Sequence, residues 1–361
     1  MAYRSRERVA RVLSHQEADR VPFAGVRLGG LPLRQWFDEL GFGKDERQCF
    51  TEGDFKYLTF DLPAERSRFA PYLPDMPEAA RVTPFGVGEL PLKSADGYVA
   101  GKKLYYPLAG VNTVEELERF PFPDVTAPEC HAHLDDAVPE ARRDGFTVIG
   151  QMSQTVLETA YSMRGIDRLF LDFYERPEYV RALFEALTER RCFQARRFAE
   201  AGVDVLRIGD DIATQSGLIL GPQTYREWLK PYHARVVAAA RQVNPDIQVL
   251  YHSDGALTAL LPDLIEVGVT AINPCQPEAM PPAEIKRQFG DRLTLWGCCS
   301  TQSVYAHGAR QDVVAELQML MREVAPGGGL VVSFINVLIT PRVQDNLRQF
   351  VESFYDLARY R

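Results

Sequence analysis

No run of about 18 consecutive apolar residues, the length a membrane-spanning helix needs, occurs in the 361-residue chain. No membrane span is therefore expected. The charged start MAYRSRER has no apolar stretch behind it, so no secretory signal is expected. Cysteine is scarce: six residues without regular spacing make no disulfide framework. A reducing cytoplasm is the expected setting. Excess positive charge is also missing. With 41 basic and 49 acidic residues the net charge is −8, which argues against a broad nucleic-acid surface. A few local arginines could still hold an anionic substrate. The arginine pairs at 190–191 and 196–197 fall in a helical pattern and read as a solvated helix face. The three glycines at 327–329 precede an apolar run and do not link a strand to a helix, so a nucleotide loop is rejected there.

What the chain does have is 46% hydrophobic residues, arranged as short apolar runs alternating with amphipathic stretches. That alternation is the mark of βα units and a parallel sheet. Eight candidate strands are read: 21–27 (VPFAGVR), 56–62 (KYLTFDL), 146–152 (FTVIGQM), 205–211 (VLRIGDD), 247–251 (IQVLY), 271–274 (AINP), 293–297 (LTLWG) and 329–333 (GLVVS). Most are continuously apolar, as strands buried on both faces are. Helical patterns cover about 177–201, 222–243, 256–267 and 311–324, with glycine or proline stops after several of them. The expectation is an α/β protein: a single-domain (β/α)8 TIM barrel over 1–361, with an N-terminal helical extension. Between strands two and three lies a long insertion, 63–145, rich in proline and glycine, with one weak β-like piece at 98–106. It reads as a lid or an interface element, and a homodimer is left open.

In a parallel barrel the C-terminal ends of all strands share one face, and side chains there converge on one pocket. The candidates at those ends are Arg27, Asp61, Gln151, Glu158, Tyr161, Asp210, Asp211, His252, Asp254, Asn273, Gln276, Cys298, Cys299 and Asn336. Each also has a plainer reading. Arg27 could be a loop ion pair, and Asp61 a turn cap. Asp210 and Asp211 are neighbours, and successive strand residues point to opposite faces. Only one of them can enter the pocket, and the other is expected to cap the next segment. His252 and Asp254 lie on one side of an extended segment, where they could bind one metal or act as an acid–base pair. Alternatively, Ser253 and Asp254 are a turn before a helix. A free cysteine such as Cys298 is more often a small buried hydrophobe than a ligand. The pair His131 and His133 is weak evidence for any role.

Several motifs resemble the uroporphyrinogen decarboxylase superfamily: RSRERVARVLSHQEADRVP at 4–22, PLAG at 107–110, GDDIATQ at 209–215, HSDG at 252–255, NPCQP at 273–277 and LWGCCSTQ at 295–302. That group holds porphyrin decarboxylases and methyltransferases that work with corrinoid proteins. The decarboxylase branch implies two arginines in the first loop, an aspartate after strand two, a tyrosine after strand three and a histidine after strand eight. Arg27, Asp61 and Tyr161 match, while Leu31 and Asn336 stand where an arginine and the histidine are expected. The methyltransferase branch implies zinc on a His-x-Cys pair after strand five and a cysteine after strand eight. Here His252 matches, but Asp254 and Asn336 stand in the cysteine positions. The HSDG form is more similar to the corrinoid-linked members. The resemblance therefore implies a demethylase that moves a methyl group from a small methylated substrate to a corrinoid protein partner. In this reading His252, Asp254, Asp211, Tyr161 and Asp61 are catalytic. Arg27, Gln151, Glu158, Gln276 and Asn336 bind substrate. Any metal, zinc being the candidate, would sit on His252, Asp254 and Cys298, with Glu158 or Asp211 as further donors. A tetrapyrrole decarboxylase is the alternative, and a non-catalytic barrel that binds a ligand or a corrinoid protein is the third reading.

Overall fold

The computed structural model of the chain describes residues 3–25, 31–93, 99–152, 154–334, 337 and 339–360. In chain order its strands are β1 (Phe55–Leu58), β2 (Arg81–Val82), β3 (Gly88–Lys93), β4 (Val99–Tyr105), β5 (Thr147–Gln151), β6 (Val205–Gly209), β7 (Ala213–Thr214), β8 (Gly217–Leu218), β9 (Gln248–His252), β10 (Ala271–Cys275), β11 (Thr294–Cys298) and β12 (Leu330–Ser333). Seven of them form one curled parallel sheet in the order β1-β5-β6-β9-β10-β11-β12. Helices connect most of these strands, so the chain is an α/β protein of barrel type.

The expected first strand, 21–27, is not a regular strand over its described part, 21–25. Pro22 has no N–H to give a ladder, and Gly25 turns to φ +80°. The segment nevertheless joins the two edges of the sheet. On one side Val332 N donates to Pro22 O and Ala24 N to Val332 O, both at 3.0 Å; on the other Asp54 N donates to Phe23 O at 2.8 Å. The carboxylate of Asp54 is fully buried and fixes this seam. It accepts from Arg8 at 2.7 Å, from Arg20 at 2.9 Å and from Phe23 N at 2.8 Å. Burial alone would raise its pKa, but Arg20 and Arg8 hold the carboxyl below its ordinary value.

Two cores follow from the period-two alternation of strand side chains. The larger lies between the sheet and its helices. The smaller is internal and draws one residue from each position around the sheet: Ala24, Phe55, Ile149, Val205, Leu250, Ala271, Trp296 and Val331. Phe55 and Trp296 meet across it with ring centroids 4.4 Å apart. The helix Ser5–Leu13 adds Val9, Val12 and Leu13 from below. The strands' other ends are thus left to build a polar mouth.

The helix Pro177–Ala201 matches its sequence pattern and ends on Gly202 at φ +87°. The pattern at 222–243 is two helices, Pro222–Trp228 and Lys230–Arg241, because Pro231 cannot continue the hydrogen-bond ladder. The pattern at 256–267 begins as a short 3-10 turn, Thr258–Leu260, before the helix Leu261–Val267. Arg191 does not lie on a solvated face. It is buried and donates to Thr155 O, Gln154 O and Gln194 Oε1. Within 63–145 a three-stranded antiparallel sheet, β2-β3-β4, accompanies the helices Arg66–Phe69, Val114–Glu118 and Leu134–Arg143. No described helix is long and apolar enough to cross a membrane.

Candidate functional site

Strand β6 runs into Asp210 and Asp211, and its neighbour β9 ends on His252. Gly209 pairs with His252, and a Cβ on it would lie 2.2 Å from the His252 carbonyl oxygen. Only glycine allows the two segments to approach this closely. Past the strand ends, Ile212 N donates to Ser253 Oγ at 3.1 Å, and Asp254 N donates to Asp211 Oδ1 at 2.9 Å. These bonds bring Asp211, His252 and Asp254 together, with one potential ligand atom from each within 4.8 Å of the others.

His252 is aligned from behind. Its Nδ1 lies 2.7 Å from Asn273 Oδ1 on β10. An amide oxygen only accepts, so Nδ1 carries the proton and Nε2 keeps its lone pair. Burial, with Arg207 nearby, lowers the His252 pKa. One neutral imidazole and two carboxylates form a donor set that suits zinc or another divalent ion, and the Asn273 contact is the kind of outer support such a ligand has. The residues present fit a metal.

The two neighbouring aspartates divide the work. Asp210 is fully buried. It accepts from Val156 N at 3.1 Å and Glu158 N at 2.9 Å, and its Oδ2 lies 2.8 Å from His233 Nε2. It therefore caps the helix Leu157–Arg164, which follows the preceding strand, not the segment after its own. Asp211 is the one that faces the mouth. The capped helix carries Glu158 and Tyr161. Burial, with Asp211 and Asp210 nearby, pushes the Glu158 carboxyl up to about 7. The Tyr161 phenol is raised by burial and then by Glu158.

Below the mouth is a cavity of about 280 Å³ lined by Tyr57, Gln151, Arg207, Asn273, Trp296 and Phe334, among others. Arg207 Nη1 donates to Gln151 Oε1 at 3.2 Å. A smaller cavity of about 30 Å³ adjoins Asp254, Gln276 and Cys298. Cys298 is buried, and its thiol is pushed well above its ordinary pKa by burial and by Cys275. That disfavours a thiolate ligand, and Cys298 lies outside the Asp211–His252–Asp254 cluster. Gln276 donates to Gln215 Oε1 at 3.2 Å. Asp61 is exposed, 3.4 Å from His133 Nδ1, and lines neither cavity. Arg27 and Asn336 lie outside the described residues. A larger cavity, about 730 Å³, opens at the other end of the sheet among Arg8, Arg20 and Asp19, where Arg8 pairs with Asp19 and Arg20 with Asp54.

Sequence reasoning missed Arg207, Tyr57 and Trp296 in the pocket, and His233 behind it. Arg207 carried a signal, since it is the one charged residue inside the apolar run VLRIG.

The fold and the polar mouth define a barrel-type α/β protein with a compact acid–histidine site at its strand ends. The description of the uroporphyrinogen decarboxylase family matches residues 104–356, more than half of the chain, and the chain belongs to that family. Among solved structures it is similar to a methyltransferase from Methanosarcina mazei at 16% identity, with 98% of this chain and 99% of that one covered and a TM-score of 0.59. A more distant likeness is to a sugar phosphate isomerase/epimerase from Parabacteroides distasonis at 11% identity, covering 62% of this chain and 82% of that one, with a TM-score of 0.31. No curated protein matches the sequence.

Proposed function

We propose that the chain is a single-domain (β/α)8 demethylase that transfers a methyl group from a small methylated compound to a corrinoid carried by a partner protein. The observation that carries this reading is the cluster of Asp211, His252 and Asp254 at the strand ends, beside a cavity whose lining includes Asn273, the partner of His252. Family membership and the likeness to a methyltransferase support it. A bound divalent metal, zinc being the candidate, would polarise the heteroatom that releases the methyl group. Asp211, His252 and Asp254 would hold it. Glu158, whose carboxyl burial raises above its ordinary value, would be the proton donor to the departing oxygen or nitrogen. The carbon–heteroatom bond would break with the electron pair and that proton going to the heteroatom, and the methyl group would pass to the reduced corrinoid of the partner protein.

A cavity of about 280 Å³ lies at the small end of ligand pockets and favours a small substrate over a tetrapyrrole. The test is metal content by elemental analysis, on wild type and His252→Ala, with methyl transfer to a reduced corrinoid followed spectroscopically. One equivalent of metal, lost in His252→Ala together with transfer, is the expected result. Decarboxylation of uroporphyrinogen without methyl transfer would overturn the proposal. Binding of methylated compounds without turnover by either route would favour a non-catalytic barrel.

A further inference from the structure

The cavity is lined by a charge that belongs to none of the candidate metal ligands. Among the described residues that line it, Arg207 is the only charged one. It comes from the middle of β6, where Val205 joins the internal apolar core and Leu206 and Ile208 join the outer core. Its side chain therefore points into the barrel. It makes no ion pair with a described carboxylate, and its hydrogen-bond partner in the cavity is the Gln151 amide oxygen. Its Nε is buried and has no hydrogen-bond partner among the described residues. A guanidinium offers five N–H donors in a planar fork that matches a carboxylate. Most of that capacity has no partner among the described residues.

The position of Arg207 orients whatever it holds. Arg207 pairs with Leu250 in the sheet, and His252 pairs with Gly209, two residues nearer the mouth. Two strand residues rise about 6.6 Å, so the Arg207 side chain is rooted one inward-facing layer deeper than the strand ends. The cavity lining includes three aromatic side chains: Tyr57, Trp296 and Phe334. Flat apolar rings favour an aromatic body.

The geometry points to Arg207 as the substrate anchor and to a methylated aromatic carboxylate as the substrate class. The carboxylate pairs with the guanidinium deep in the barrel, and the methylated heteroatom lies at the mouth by Asp211, His252 and Asp254. This assignment rests on the methyl-transfer reading for its orientation, yet its test needs neither corrinoid nor turnover. The probes are para-methoxybenzoate and its neutral isostere para-methoxybenzamide, titrated calorimetrically into the full-length protein. Wild type should bind the carboxylate at least tenfold more tightly than the amide. Arg207→Gln should lose that preference while leaving amide binding within about twofold. Equal binding of the two probes by wild type would overturn the anchor even if Arg207→Gln did not fold. Retention of the preference in a folded Arg207→Gln protein would overturn it as well. If the preference holds but no methyl transfer is found, the methyl-transfer reading fails and the anchor stands.

Discussion

Removing the Asp210 carboxylate should destabilise the protein strongly without emptying the candidate metal site. Asp210 accepts from Val156 N and His233 in the buried interior and from Glu158 N in a partly buried contact. In Asp210→Ala these donors lose their acceptor. Each orphaned donor costs about 1–3 kcal/mol, and breaking a buried charged contact about 3–5 kcal/mol. With some relaxation the loss should be about 4 kcal/mol. Asp210→Asn should be milder. Oδ1 already accepts from both backbone donors, so an amide oxygen can keep them. The amide NH2 would then face His233 Nε2. His233 Nδ1 lies 3.3 Å from Tyr225 Oη, so His233 can move its proton to Nδ1, donate to the phenol and accept on Nε2. The remaining loss is the charge, about 1–2 kcal/mol. Urea unfolding at pH 7 would read both variants, with metal content measured alongside. A cost below about 1 kcal/mol for Asp210→Ala, or equal costs for the two variants, would refute the reasoning.

Asp211→Asn should do the opposite. Its amide oxygen can still accept from Asp254 N, so the unfolding free energy from urea titration should hold within about 1 kcal/mol, while metal content falls; an unchanged metal content would remove Asp211 from the ligand set. Glu316 tests pH dependence away from the site. Burial raises its carboxyl from 4.5 to about 7, so the protonated form is favoured by folding. Stability is then fully present below about 4.5 and is lost as pH rises to about 7, by roughly 3 kcal/mol in all. Glu316→Gln should therefore gain up to about 3 kcal/mol on wild type at pH 8 and little at pH 4; a gain independent of pH would contradict this. Gly209→Ala would place a Cβ 2.2 Å from the His252 carbonyl oxygen, so β6 and β9 must separate. At least about 2 kcal/mol should be lost, visible as a lower melting temperature, and His252 should be displaced from the cluster.

Much of the fold could be read from the chain because a buried parallel strand is continuously apolar. Seven of the eight runs are strands of one sheet. The eighth, at 21–25, bonds to both sheet edges through only a few groups, since Pro22 and Gly25 interrupt the ladder. Breaks inside helical patterns were harder to see, because apolar periodicity runs straight through Pro231, whose missing N–H ends the bond ladder. In the site, His252, Asp254 and Asp211 were visible because each ends or follows an apolar run. Asp61 obeys the same rule, but the structure puts it on the surface beside His133. Position after a strand restricts a residue to one face of the barrel; it does not aim the side chain.

That aim could have come from Arg207. A charged residue inside a strand buried on both faces must point where polar groups or solvent can meet it, and in a barrel that is the interior near the mouth. With Arg207 assigned inward, the period of two turns Val205, Gly209 and Asp211 inward with it and sends Asp210 toward the helices. The structure has this arrangement: Val205 joins the internal core, Arg207 lines the cavity and Asp211 joins the ligand cluster, while Asp210 meets His233 behind the sheet. One misplaced-looking charge therefore sets the phase of β6, and with it which of two adjacent carboxylates can do chemistry.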